Sequence, residues 1–345
     1  MMTSRRVFLT SAAATAVGLT LAACSQELPP APEVSTPTAH PVLDSQHLTS
    51  ALDRIQTGLD GADAQKSPEL LSGYLTGPAL RVRTEEYALA SAAQDDSKIE
   101  HFTTLSQAGT VGRATGFPRI ALTVTETADG DDVPYLLALT QDAARDNFEL
   151  WAWVRPFAGV EVPATATASV GSEQVDGSEQ MDGDVNVLAA APQEVLDSYV
   201  DALNNPDGDN GAVFADDLLR QQLGSLRSKD VSSAGEIAVT ARAGSDGFRG
   251  LRTTDNGAIV LTTLSYDVVY KRTVAKSTLK MPADVASLLG TGTEITGEVT
   301  TTNDVMVAFS IPPAEPTEAS GNQSVLLGRS LVLASASKDD SKSPG

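Results

Sequence analysis

The sequence predicts an α+β fold: two tandem, similar domains, each with helices packed on one face of a curved antiparallel sheet. Three observations lead there. In each half, apolar residues first recur at helical spacing and then at a spacing of two. Several positions of the first half return in the second at a near-constant offset. A low-complexity acidic stretch separates the two.

In chain order, residues 1–23 read as an export signal. Arg5 and Arg6 precede an uncharged stretch from Val7 to Ala23, a positive n-region followed by an apolar h-region. The stretch is too short and too rich in Ala, Thr and Ser for a spanning helix, which takes about 20 predominantly apolar residues. Ser4-Arg5-Arg6-Val7-Phe8-Leu9 resembles the twin-arginine signal, and the general secretory route stays open beside it. Leu21-Ala22-Ala23-Cys24 looks like the bacterial lipobox, in which the thiol takes a diacylglyceryl group and the chain is cut just before it. The resemblance implies a mature protein beginning at Cys24, the only cysteine. Two acyl chains, at about 0.8 kcal/mol per buried CH2, suffice for stable anchoring.

The full chain carries 24 Lys and Arg against 45 Asp and Glu; losing Arg5 and Arg6 takes the formal charge from −21 to −23. Such a surface repels nucleic acid and anionic lipid. With Cys24 committed to lipid, no disulfide forms, and stability rests on burial, for which a 41% hydrophobic composition is sufficient.

Residues 24–41 read as a tether: Pro29, Pro30, Pro32, Pro37 and Pro41 favour an extended spacer of about 3.1 Å per residue. The first domain spans 42–160. Leu48, Leu52, Ile55 and Leu59 form a helical stripe, and Ser67-Pro68-Glu69 reads as N-cap, N1 proline and first-turn acid. Strands follow at Ile120–Thr125 and Val133–Leu139, then Phe148–Val154 with Trp151 and Trp153 on one face. Residues 161–186 read as a disordered acidic linker, in which Gly171-Ser172-Glu173-Gln174 recurs as Gly177-Ser178-Glu179-Gln180.

The second domain spans 187–336. Pro192 opens a helix whose stripe is Val195, Leu196, Tyr199, Val200 and Leu203. Strands are expected over 236–243, 257–273, 293–311 and 325–335, with Asn303-Asp304 as a possible turn inside the third. Residues 337–345 read as a polar, disordered tail. The repeat aligns Leu52, Ile55 and Leu59 with Leu196, Tyr199 and Leu203 at an offset of 144, then Leu71, Leu75 and Leu80 with Phe214, Leu218 and Leu223 at 143.

Helices followed by antiparallel strands resemble the cystatin-like or NTF2-like cone, an analogy of element order. The lipobox, the helix-plus-strand halves, Phe117-Pro118-Arg119 and Tyr266-Asp267-Val268-Val269-Tyr270 together resemble a family of actinobacterial envelope lipoproteins with an uncharacterised domain. That resemblance transfers no activity and no catalytic residues.

Candidate chemistry is sparse. His40, His47 and His101 show no zinc-ligand spacing, and no Gly-x-Ser-x-Gly elbow supports a triad. Asn205-Pro206-Asp207-Gly208-Asp209-Asn210, with Asp216 or Asp217 beyond, offers alternate oxygens for calcium but has Asn210 where glycine is expected; Asp129-Gly130-Asp131-Asp132 fits a hairpin turn better. Lys271, Arg272, Lys276 and Lys280 form a basic cluster able to meet an anionic wall polymer, or simply a solvated strand end. Trp151, Trp153 and Phe157 with Arg155 are either core or the wall of a carbohydrate or hydrophobic cleft. Tyr266 and Tyr270 share a strand face while Asp267 points the other way.

The expectation is therefore a non-enzymatic, membrane-tethered lipoprotein on the extracytoplasmic face, without cofactor or metal. It binds an envelope protein or wall component and not nucleic acid. A small-molecule or lipid carrier with a cone-shaped pocket, and an enzyme of cell-wall metabolism, are the alternatives.

Overall fold

The computed structural model describes residues 38–127, 133–177, 181–182, 185–316 and 321–345. Arg5, Arg6 and Cys24 lie outside the described residues, as do Asp129-Gly130-Asp131-Asp132 and Ser178-Glu179-Gln180.

The chain enters through β1 (His40–Pro41) and α1 (Ser45–Asp63). Asp44 caps α1 by accepting from the His47 N–H at 2.8 Å, and the expected stripe Leu48, Leu52, Ile55 and Leu59 is buried. A 3-10 turn begins at Pro68, and α2 (Gly77–Ala93) follows. Four strands come next: β2 (Ser106–Ala114), β3 (Arg119–Thr125), β4 (Leu136–Gln141) and β5 (Glu149–Pro156). Then come β6 (Ser172–Val175), β7 (Met181–Asp182) and β8 (Val185–Asn186).

The second part has α3 (Pro192–Asn204), α4 (Asp209–Val213) and α5 (Leu218–Ser228). It continues with β9 (Gly235–Ala243), β10 (Arg249–Arg252), β11 (Ala258–Arg272) and β12 (Leu279–Lys280). It ends with α6 (Ala283–Leu289), β13 (Glu294–Ile295), β14 (Glu298–Ile311) and β15 (Val325–Asp339).

Strand pairing overturns the expectation of two tandem helix-on-sheet cones. Nine strands close one β-barrel in the order β2-β3-β4-β5-β15-β14-β11-β10-β6 and back to β2. Both halves contribute staves. β5 pairs with β15 through Pro156↔Gly328 and Arg155↔Arg329. β6, within the stretch read as a linker, pairs antiparallel with β10 and parallel with β2. Element order records which strands exist and not which pair, and these pairings run between halves. Neighbouring residues of β11 and β14 also serve different cores. Ile259, Leu261, Met306 and Ala308 join the core under α1 and α2, whereas Val260, Leu264, Val305 and Val307 join the core under α3 and α5. A strand buried on both faces reads as a continuous apolar run.

Closure at the parallel junction is thin. Only Gly112↔Ser172 and Arg113↔Glu173 are in register. The Gln174 side chain extends the junction to β3, accepting from the Ile120 N–H at 2.8 Å and donating to the Pro118 carbonyl at 2.9 Å. Gly112 makes room for it, since a Cβ there would stand 2.3 Å from Gln174 Oε1.

β11, β14 and β15 outrun the barrel. The first part of β11 pairs with β10, and its last nine residues pair with β9. β14 runs unbroken through Asn303-Asp304, with a bulge against β15 between Thr302 and Asn303. β15 continues to Asp339, and a 3-10 turn covers Asp340–Lys342, within the segment read as a tail.

Candidate functional site

Where the long strands leave the barrel, a cleft of about 820 Å³ opens. Tyr266, Val268 and Tyr270 of β11, Thr301 and Asn303 of β14, and Arg329 to Leu333 of β15 line it together. Gln222 and Leu226 of α5 form one wall, and Asp284 and Val285 of α6 another; Glu86 and Leu89 of α2, Lys98, Glu100 and the end of β5 complete it. The site therefore draws on both halves of the sequence.

A buried ionic network holds the α2 side. Arg83 is 1% exposed. It donates at 2.8 Å to Glu86 Oε2 and at 2.8 Å to the Glu100 carbonyl, and its guanidinium stacks 4.9 Å from the Trp153 ring. Glu100 accepts from the Tyr135 hydroxyl at 2.9 Å and from Trp153 Nε1 at 2.8 Å. Burial pushes the Glu86 carboxyl up to about 8, with the Arg83 charge opposing. At the rim, Lys98 pairs with Asp284 at 2.8 Å and ties α2's exit to α6. Most lining charges are thus already matched.

Arg329 is the exception. Its Nη2 donates to Gln222 Oε1 at 2.8 Å, and Gln222 in turn donates to the Tyr266 hydroxyl at 3.1 Å. Its Nε is buried without an acceptor. Among the described residues no carboxylate lies within ion-pairing distance of it. Burial pushes its pKa down, opposed by Tyr266, Tyr199, Asp217 and Glu100. Burial also pushes the Tyr266 hydroxyl up to about 12, so it stays a neutral hydrogen-bond donor in neutral solution. On β5, directly opposite Arg329, stands Arg155, which also lines the cleft.

The sequence-derived candidates divide. Tyr266 and Tyr270 do share the face that lines the cleft, and Asp267 points away to pair with Arg242 and Thr302. Arg155 and Phe157 line the cleft, but both tryptophans are core: Trp153 is fully buried, and Trp151 lies under the Arg249 guanidinium at 4.9 Å. In the basic cluster, Lys271 pairs with Glu236 at 3.2 Å, and Arg272 donates to the Thr296 and Ser277 carbonyls.

In the Asn205–Asn210 loop, Asp201 takes the side-chain amides of Asn205 and Asn210. Asp217 caps α5 and accepts from Tyr199 at 2.9 Å. No group of three or more His, Cys, Asp or Glu able to hold a metal occurs among the described residues. The three histidines stay apart: His40 in β1, His47 against Asp44 at 2.8 Å, and His101 exposed, 4.0 Å from Asp63.

Sequence reasoning missed Arg329, Gln222, Glu86 and Glu100. One signal was present. Arg329 shares its strand face with Leu331 and Leu333, where a leucine would simply extend the apolar run.

Fold and site define a helix-clad closed barrel with a mixed-polarity cleft on its projecting strands. The chain belongs to the family described as a domain of unknown function (DUF8094), whose model matches residues 39–337. No curated protein and no solved structure matches the chain.

Proposed function

We propose that this protein is a lipid-anchored, extracytoplasmic binding module and that its ligand, or a group of its partner, enters the cleft between α2, α5 and α6. The observation that carries the reading is the cleft's unmatched polar capacity: a half-buried guanidinium with no carboxylate partner among the described residues, inside a wall where Glu86 pairs with Arg83 and Asp284 with Lys98. The Arg329 side chain borders the cleft and makes one hydrogen bond among the described residues, to Gln222, so its remaining Nη donors are available to an occupant. The lining holds no histidine or cysteine, and its carboxylates serve structural partners, which favours binding over catalysis. The tether follows from the lipobox reading of Cys24 and the export reading of Arg5 and Arg6. Among the described residues no helix is long and apolar enough to cross a membrane, and attachment through Cys24 needs none.

Native mass spectrometry tests the reading on protein released from its own membranes. A bound mass is expected on the unaltered protein and lost from a Val285→Trp variant that fills the cleft. An identical spectrum from both proteins contradicts it.

A further inference from the structure

We infer that the cleft binds an amphiphile with a single-charged oxyanion head, its carboxylate held by Arg329 and its apolar body laid along the α5 and α6 walls. This rests on the cleft being a binding site, and names the chemistry of what it takes.

Two observations point to an anion. The first is the unmet donor capacity of Arg329, whose sole hydrogen bond among the described residues goes to a neutral amide, that of Gln222. A guanidinium presents its donors as a planar fork that matches a carboxylate. The second is the relay through Gln222. Its amide oxygen is spent on Arg329 and its nitrogen on Tyr266, which leaves the Tyr266 hydroxyl proton free to donate into the cleft.

Two further features set the rest of the ligand. Glu100 borders the site, so one negative charge is tolerated better than two, which favours carboxylate over phosphate monoester. Leu226, Val268 and Val285 also border it, and apolar surface gains from covering an alkyl chain. The Lys98–Asp284 pair at the rim is already satisfied and offers no competing anchor.

The test is isothermal titration of the mature protein with dodecanoate, dodecyl phosphate and dodecanol. Dodecanoate is expected to bind best, with dodecanol weaker by roughly ten- to a hundredfold, the range of a charge-assisted hydrogen bond. Arg329→Met is expected to remove that preference while keeping or raising the melting temperature, because an unpaired buried charge destabilises the empty protein. Arg329→Lys, which keeps the charge and loses the fork, is expected to fall between. Equal binding of dodecanoate and dodecanol, an unchanged preference in Arg329→Met, tighter binding of dodecyl phosphate, or no binding of any probe each overturns the inference. None of these touches the broader reading of the cleft, which stands or falls on the co-purifying mass and its loss in Val285→Trp.

Discussion

Replacing Gln174 with alanine should open the barrel at its weakest seam. Backbone pairing between β2 and β6 consists of two register positions. The Gln174 side chain adds two hydrogen bonds beyond them, to the Ile120 N–H at 2.8 Å and the Pro118 carbonyl at 2.9 Å. A net hydrogen bond contributes about 0.5–1.5 kcal/mol. The bond to Pro118 is exposed and falls at the low end, while Ile120 is 3% exposed and its N–H is left buried and unsatisfied. The loss is then about 1–2 kcal/mol, a fall of roughly 2–6 °C in melting temperature. Glu173→Ala, one residue away and solvent-facing, should stay within about 0.5 kcal/mol.

Gly112→Ala sharpens the test, because its Cβ would stand 2.3 Å from Gln174 Oε1 and displace the same side chain. It should destabilise the native protein and be nearly neutral once residue 174 is alanine, so the two changes are strongly non-additive. Thermal melts of the four proteins suffice. Additive effects, or a Gln174→Ala protein as stable as Glu173→Ala, would refute the side chain's role in closure.

Three other outcomes follow from the structure. Burial and the Asp304 charge push Glu85 up to about 8, with Arg81 opposing, from an ordinary value of 4.5. The native state holds this proton where the unfolded chain releases it, so its contribution is complete below about pH 4.5 and lost as pH rises through 8; Glu85→Gln should flatten melting temperature against pH over that window, and parallel curves contradict this. Gly77 has φ +54°, and a Cβ there would lie 2.8 Å from Trp151 Nε1, so Gly77→Ala should lower stability by about 1–3 kcal/mol in denaturant melts, and a neutral change would show that the α2 start repacks freely. Cys24→Ala should release the protein from membranes or stall its maturation, read by cell fractionation and by the mass of the N-terminus; full membrane retention of a processed chain contradicts the anchor.

Much of the local structure was legible. The stripe Leu48, Leu52, Ile55 and Leu59 is the inward face of α1, and Pro192 opens α3, because both signals are carried by neighbouring residues. β9, β11 and β15 lie within a few residues of their expected ranges, apart from the run of β15 to Asp339. α2 was harder, since its buried face carries Arg83 and Glu86, charges that ordinarily mark a solvated surface. β6 looked like linker because Ser-Glu-Gln-Val is polar, and because part of its pairing is made by a side chain. Closure itself was not legible. Which strand meets which over more than a hundred residues leaves no local pattern, and alternating apolar residues serve a cone and a barrel equally. Tyr266 and Tyr270 were placed on a shared face by periodicity alone, whereas Arg329 gained meaning only when α5 brought Gln222 against it in the cleft.

That both halves of the chain build one closed barrel is the claim on which the cleft depends, and a cross-strand disulfide tests it most directly. In a Cys24→Ala background, Arg113→Cys with Glu173→Cys places two thiols at paired positions of the parallel junction. The account predicts a disulfide within each molecule under mild oxidation, with a raised melting temperature and a chain that stays monomeric and is lighter by two hydrogens. Two thiols that remain free to alkylate in the folded protein would contradict it.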